Sequence, residues 1–265
     1  MIEKRALGRT GIEVSRIGIS SSFGADLSVF EYAFEQGCSY FTWGTFIKGR
    51  SNPFRTFVRQ LTRSGKREEL VIGLLSYSHS GMLGNHFLKS ALSQLDTDYI
   101  DTLILGYYPR RPPQRVLDWA LQVKAEGLVR AIGLTTHNRA MVIPLAREGV
   151  IDFFHIRYNA VHRGAETEIF AYLESLGEKR PGIVSFTATS WGQLLKQKKM
   201  QPGMQAASAG DCYRFVLARD EVDVCMVGVK NRAMLEQNLA AVAKGPMSSE
   251  ELVRMRIIGD HLYGS

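Results

Sequence analysis

Short apolar runs alternate with amphipathic stretches along the whole chain. The runs occupy residues 16–20, 39–43, 70–75, 100–105, 130–134, 151–156, 183–187 and 222–227. Runs of that length, apolar nearly throughout, are typical of parallel strands buried on both faces. They begin about every 29 residues. Between them, residues 27–36, 54–64, 85–94, 113–125, 139–147, 166–175, 211–219 and 232–242 repeat apolar positions at helical spacing. Gly37, Gly65, Gly127 and Gly149 stand where four of these helices should end. A glycine there supplies the left-handed residue that a short helix-to-strand loop needs. Residues 248–262 read as one more helix. Ahead of the first run, Arg5-Ala6-Leu7 and Glu13-Val14-Ser15 flank a turn at Arg9-Thr10-Gly11, which predicts a hairpin.

Eight strand–helix units without a linker predict the α/β class. The expected fold is a single (β/α)8 TIM barrel with an N-terminal β-hairpin and a C-terminal helix, one domain across residues 1–265. An open doubly wound sheet is the alternative. It is disfavoured because no G-x-G-x-x-G follows the first strand and no P-loop occurs.

Composition adds exclusions. The chain has 265 residues, 45% hydrophobic and 22% charged, which places it among globular domains. No apolar stretch reaches the length of a membrane span, and the opening residues MIEKRALGRTG lack the apolar core of a secretory leader. Cys38, Cys212 and Cys225 have no metal-ligand spacing, so reduced, buried thiols in a cytoplasmic protein are expected. The net charge of +7 is compatible with nucleic acid, an anionic cofactor or a merely charged surface. The basic clusters at Arg110, Arg111 and Arg115 and at Lys196, Lys198 and Lys199 are not interleaved with aromatic residues. No nucleic-acid or membrane partner is therefore expected, while a protein partner or a homo-oligomer stays open.

In such a barrel the chemistry sits at the C-terminal strand ends. The six histidines show no metal-ligand spacing, no G-x-S-x-G elbow occurs, and no strand end carries two carboxylates, so no metal is expected. His79, His137 and His162 follow strands, where a plain surface role is the usual one. His155 lies within strand six. The segment Gly228-Val229-Lys230-Asn231 leads directly into a helix. Exposed N–H groups of a helix start beside a lysine make an anion site in physical terms.

Several segments together resemble the aldo-keto reductase family. They are residues 7–18 (LGRTGIEVSRIG), 92–101 (LSQLDTDYID), 127–133 (GLVRAIG), 151–159 (IDFFHIRYN) and 226–239 (MVGVKNRAMLEQNL), in the family's order and across almost the whole chain. The resemblance implies a (β/α)8 barrel and reduction of carbonyls by hydride from NADPH without a Rossmann motif. It also exposes a departure. Where the family reads Phe-Asp-Thr-Ala-x-x-Tyr-Gly, this chain reads Phe41-Thr42-Trp43-Gly44-Thr45-Phe46-Ile47-Lys48. Thr42 replaces the aspartate and Ile47 the tyrosine. The family lysine falls on Leu75 and its histidine on Gly106.

Carbonyl reduction needs a proton donor for the developing alkoxide. In the family the tyrosine donates, the lysine lowers its pKa, the aspartate holds the lysine and the histidine orients the substrate oxygen. Thr42, Ile47, Leu75 and Gly106 offer none of this, and are expected to converge as a largely apolar hollow at the mouth. The resemblance implies cofactor positions at Thr135 and Thr136, His155 and Phe186 for the nicotinamide end. It places Lys230 and Asn231 at the 2′-phosphate, and Gln237 and Asn238 at the adenine.

Three functions remain open. The preferred one is an NADP(H)-binding barrel, with weakened affinity, that is non-catalytic or repurposed. The second is a working NADPH-dependent aldehyde or ketone oxidoreductase using displaced donors such as Tyr107, His79 or Lys48, with Tyr77 and Tyr108 also nearby. The third is an interaction protein with no ligand.

Overall fold

A computed structural model describes residues 2–47 and 51–263. Eight parallel strands close into a barrel: β3 (Ile17–Ser20), β4 (Tyr40–Trp43), β5 (Val71–Ser76), β6 (Ile100–Tyr107), β7 (Val129–Thr136), β8 (Phe153–Arg157), β9 (Gly182–Phe186) and β10 (Val224–Val227). β10 pairs with both β9 and β3, which closes the ring. Each predicted apolar run overlaps one of these strands, with no end moved by more than two residues. Ahead of the barrel, β1 (Lys4–Ala6) and β2 (Glu13–Ser15) form the expected hairpin. Leu7 leaves it and packs with Val14, Phe153, Val184 and Val224, plugging the bottom of the barrel.

The outer ring is α1 (Leu27–Glu35), α2 (Asn52–Arg63), α3 (Gly81–Leu95), α4 (Gln114–Ala125), α5 (Val142–Glu148), α6 (Ala171–Leu173), α7 (Ala209–Leu217) and α8 (Arg232–Val242), followed by the C-terminal α9 (Ser249–Leu262). The apolar face of α2 supplies Phe54 and Phe57, which pack with Phe30 and Phe41 at ring separations of 5.4 to 6.4 Å. α7 and α9 start on capping boxes, Ser208 with Asp211 and Ser248 with Glu251. Gly37, Gly65, Gly127 and Gly149 all have positive φ, as helix stops require.

Two helices differ from the prediction. The stretch from Arg139 opens with a 3-10 turn to Met141 before α5. The predicted helix at 166–175 is a π turn (Glu166–Phe170), then α6, then a 3-10 segment (Glu174–Lys179) broken at Gly177. Apolar periodicity alone does not separate these helix types, because all of them bury one face.

The lower rim is tied by three aspartates in or just before alternate strands. Asp101 accepts the backbone N–H of Ile72, Asp152 that of Ile132, and Asp223 that of Ile183. Each also meets a cation: Arg67, Lys124 and Arg180 respectively. All three cysteines are buried and free. Burial pushes the Cys38 and Cys212 thiols up to about 12. Among the described residues, no helix is long and apolar enough to cross a membrane, and no three His, Cys, Asp or Glu side chains group as metal ligands.

Candidate active site at the barrel mouth

Side chains alternate along a strand, so every second residue faces the barrel axis. That period brings Thr42 of β4, Leu75 of β5, Thr135 of β7, His155 of β8, Phe186 of β9 and Met226 of β10 to one cavity of about 660 Å³ at the C-terminal strand ends. Its walls are completed by Ser20 at the end of β3, by Ser22 and Phe23 just after it, by Tyr77, by residues of the 187–192 loop and by Tyr213 of α7. None of the described lining residues is Asp, Glu, Lys or Arg. The cavity is a neutral, mixed aromatic and hydroxyl surface.

His155 is its floor. The ring is only 5% exposed, and its Nε2 lies 3.0 Å from the Tyr40 hydroxyl inside the barrel. Burial pushes the imidazole down to about 3 from 6.5 and raises the Tyr40 phenol. The pair is therefore neutral across the physiological range, and His155 can exchange a hydrogen bond but not contribute a charge. Between those two pKa values the unfolded chain binds a proton at this histidine that the folded chain does not. Its contribution to stability is complete above pH 6.5 and is lost as pH falls toward 3. The acid limb of the urea midpoint should therefore be flatter in His155→Gln than in the parent chain. Parallel limbs would refute that assignment.

Of the four positions expected to converge, Thr42 and Leu75 line the cavity. Ile47 and Gly106 are not part of its lining. The β6–β7 register shifts between Leu105 and Tyr107, and Gly106 lies in close contact with the neighbouring strand end. A Cβ there would lie 2.7 Å from the Tyr77 ring. Tyr77 in turn meets Phe46 edge-on at 4.9 Å. An aromatic pair thus covers the Gly106 side of the mouth. Ile47 is half-buried, and its N–H donates to the Gly44 carbonyl.

The candidate displaced donors are dispersed. Tyr107 packs on His137 at 5.0 Å, and His79 packs on Tyr108 at 4.6 Å. No hydrogen bond joins Tyr107 to His79 among the described residues. Lys48 lies outside the described residues. Among the tyrosines weighed from sequence, Tyr77 is the one that lines the cavity, and burial raises its phenol.

The candidate cofactor positions divide in a similar way. Thr135, His155 and Phe186 line the cavity, and the buried Thr135 Oγ1 has no hydrogen-bond partner. Thr136 is fully engaged: its hydroxyl donates to the Tyr108 carbonyl and accepts the Asn138 N–H. Val227 and Gly228 line the far end, and Lys230 stands exposed just beyond them. Asn231 caps α8, its Oδ1 accepting the Met234 N–H at 3.0 Å. Gln237 is exposed on α8, and Asn238 is buried there.

Sequence reasoning missed Tyr40 and Tyr213. Tyr40 was accessible by period, standing two residues before Thr42 on the same strand face. The loop after β9 follows a strand end, where the sequence places it, but its backbone conformation has no sequence signal. Thr187, Ser190 and Trp191 hold φ values of 57°, 50° and 52°, a left-handed conformation that is costly for such residues. This strain is concentrated at the rim and presents Trp191, 61% exposed, beside the opening.

Comparison with known proteins gives the same architecture. No protein-family profile matches the chain. It is 22% identical to L-galactose dehydrogenase of Arabidopsis thaliana, across 92% of this chain and 89% of that protein. The structure superposes on the holo form of aldo-keto reductase AKR11C1 from Bacillus halodurans with a TM-score of 0.79 at 18% identity, covering 99% and 98% of the two chains. The apo form of that protein gives 0.76 over the same coverage. The fold that the resemblance implies, a (β/α)8 barrel, is the one observed, and it superposes on an aldo-keto reductase over nearly its whole length.

Proposed function

We propose that the mouth binds NADP(H), weakly compared with ordinary aldo-keto reductases, in a divergent barrel of that kind that does not carry out ordinary carbonyl reduction. The observation that carries this reading is a neutral cavity lined in part by Thr135, whose buried hydroxyl has no hydrogen-bond partner. A buried hydroxyl without a partner is costly, so a ligand amide that satisfies it gains free energy. Thr135 and His155 would hold the nicotinamide amide, and Phe186 would pack against its ring. Lys230 and the N–H groups at the start of α8 would receive the 2′-phosphate, with Gln237 and Asn238 beside the adenine. Bound NADPH would supply a hydride equivalent.

The missing element is the proton. An alkoxide forming at the mouth would find no lysine or carboxylate among the described lining residues. Tyr77 is a phenol whose pKa burial raises, with no adjacent cation to lower it. Loss of a matched general acid alone lowers rates by about 10²–10⁴. Fluorescence titration should show saturable NADPH binding, and simple aldehydes should give no turnover above the uncatalysed background. Absence of binding to either nicotinamide nucleotide at millimolar concentration would discard the reading and leave an interaction protein. The position of Tyr77 favours one second reading, a slow reductase with Tyr77 as donor. Turnover abolished by Tyr77→Phe would establish it.

A further inference from the structure

Beside the mouth cavity, behind Trp191, lies a separate pocket of about 420 Å³ between the loops after β7 and β8 and the end of α9. Its charged lining is Arg139, Arg157, Arg163 and Asp260, joined by the polar His162 and Tyr263. Two of the guanidinium groups are already matched. Arg139 pairs with Glu168 at 2.6 Å, and Arg163 pairs with Asp260 at 2.5 Å. Arg157 has no ion pair among the described residues, and its buried Nε has no hydrogen-bond partner. The neighbouring His137 Nδ1 is likewise buried and unpartnered. We propose that this pocket binds the phosphate or carboxylate group of a small anionic ligand, with Arg157 as its principal contact.

A partly buried guanidinium without a counter-charge is costly, and an anion that pairs with it recovers that cost. The guanidinium fork suits both oxyanions, and charge assistance shortens and strengthens such bonds. Burial and then the charge of Arg139 lower the Arg157 pKa. Burial, followed by the charge of Arg157, also holds His137 and His162 below the usual histidine range. The position of Arg139 depends on Gly164, where a Cβ would lie 2.6 Å from the guanidinium carbon. The Arg157 guanidinium carbon is 5.7 Å from the centre of the Trp191 ring, which also borders the mouth cavity. An organic molecule held here by its anionic group can therefore extend toward the mouth. This inference does not depend on nucleotide binding.

Histidine NMR resonances provide the readout, with inorganic phosphate and phenyl phosphate as probes at ionic strength matched with chloride. Both probes should move the His137 and His162 signals saturably and raise their apparent pKa values. Tyr107, Arg139, Arg157, Arg163, Glu168, Asp260 and Tyr263 are the charged or titratable neighbours that the anion must act among. Phenyl phosphate should also move the Trp191 indole signal and bind at least tenfold more tightly if the site takes an organic anion. Equal affinity and a still Trp191 would identify free phosphate as the ligand. Arg157→Gln should weaken either probe at least tenfold, and Arg157→Lys should restore part of the loss. NADPH titration of Arg157→Gln should match the parent chain, so failure of the nucleotide reading is seen separately. Shifts no larger than those caused by chloride, or unchanged in Arg157→Gln, would overturn the proposal.

Discussion

Asp101→Ala should destabilise the fold by about 3–5 kcal/mol, the cost of removing one partner from a buried ion pair. The carboxylate is 1% exposed. It accepts the Ile72 N–H at 2.9 Å, Arg67 Nη2 at 2.8 Å and Arg130 Nη1 at 3.1 Å. Arg67 is itself buried, and after truncation its remaining partners would be the Leu70 and Tyr99 carbonyls and the Thr97 hydroxyl. A guanidinium would then sit in the lower rim without a counter-charge, beside an unpaired strand N–H. Since whole domains are stable by only about 5–15 kcal/mol, the variant should lie near the limit of folding. Urea unfolding decides the matter, provided the slope with denaturant is unchanged. Asp118→Ala serves as the control, because Asp118 only accepts a hydrogen bond from Gln114 on the exposed face of α4. A loss below about 1 kcal/mol for Asp101→Ala would show that the cluster behaves as an ordinary surface pair.

Lys230→Ala should lower NADPH affinity by about 5- to 30-fold and leave NADH affinity almost unchanged. The motive is position. Lys230 follows the cavity-lining Gly228 and precedes the Asn231 cap of α8, and no salt bridge engages it among the described residues. An exposed ammonium beside a helix start can contribute about 1–2 kcal/mol to a phosphate contact, as a charge-assisted hydrogen bond does. Only NADPH carries the 2′-phosphate, so the two nucleotides separate this contact from general damage to the site. Calorimetry at low salt gives both affinities. An equal loss for both would show that Lys230 does not read the phosphate.

The barrel was legible in the amino-acid sequence because its signals are local. Apolar runs of one period and helices of another, with glycine at the stops, define which residues turn inward wherever the chain is placed. The same period brought Thr42, Leu75, Thr135, His155 and Phe186 to the mouth. Tertiary structure decided everything that depends on one strand end meeting another. The β6–β7 register shifts between Leu105 and Tyr107, and Tyr77 lies close against Gly106, and neither feature is written in the residues themselves. Tyr40 and His155 meet across 115 residues of sequence, because closure of the barrel brings β4 and β8 to opposite sides of one narrow interior. Among the described residues Arg157 has no counter-charge, whereas Arg139 is matched by Glu168 and Arg163 by Asp260. Composition records how many charges a chain has. Which of them are spent on one another is determined by distance, and distance is set by the closed sheet and the loops that it holds apart.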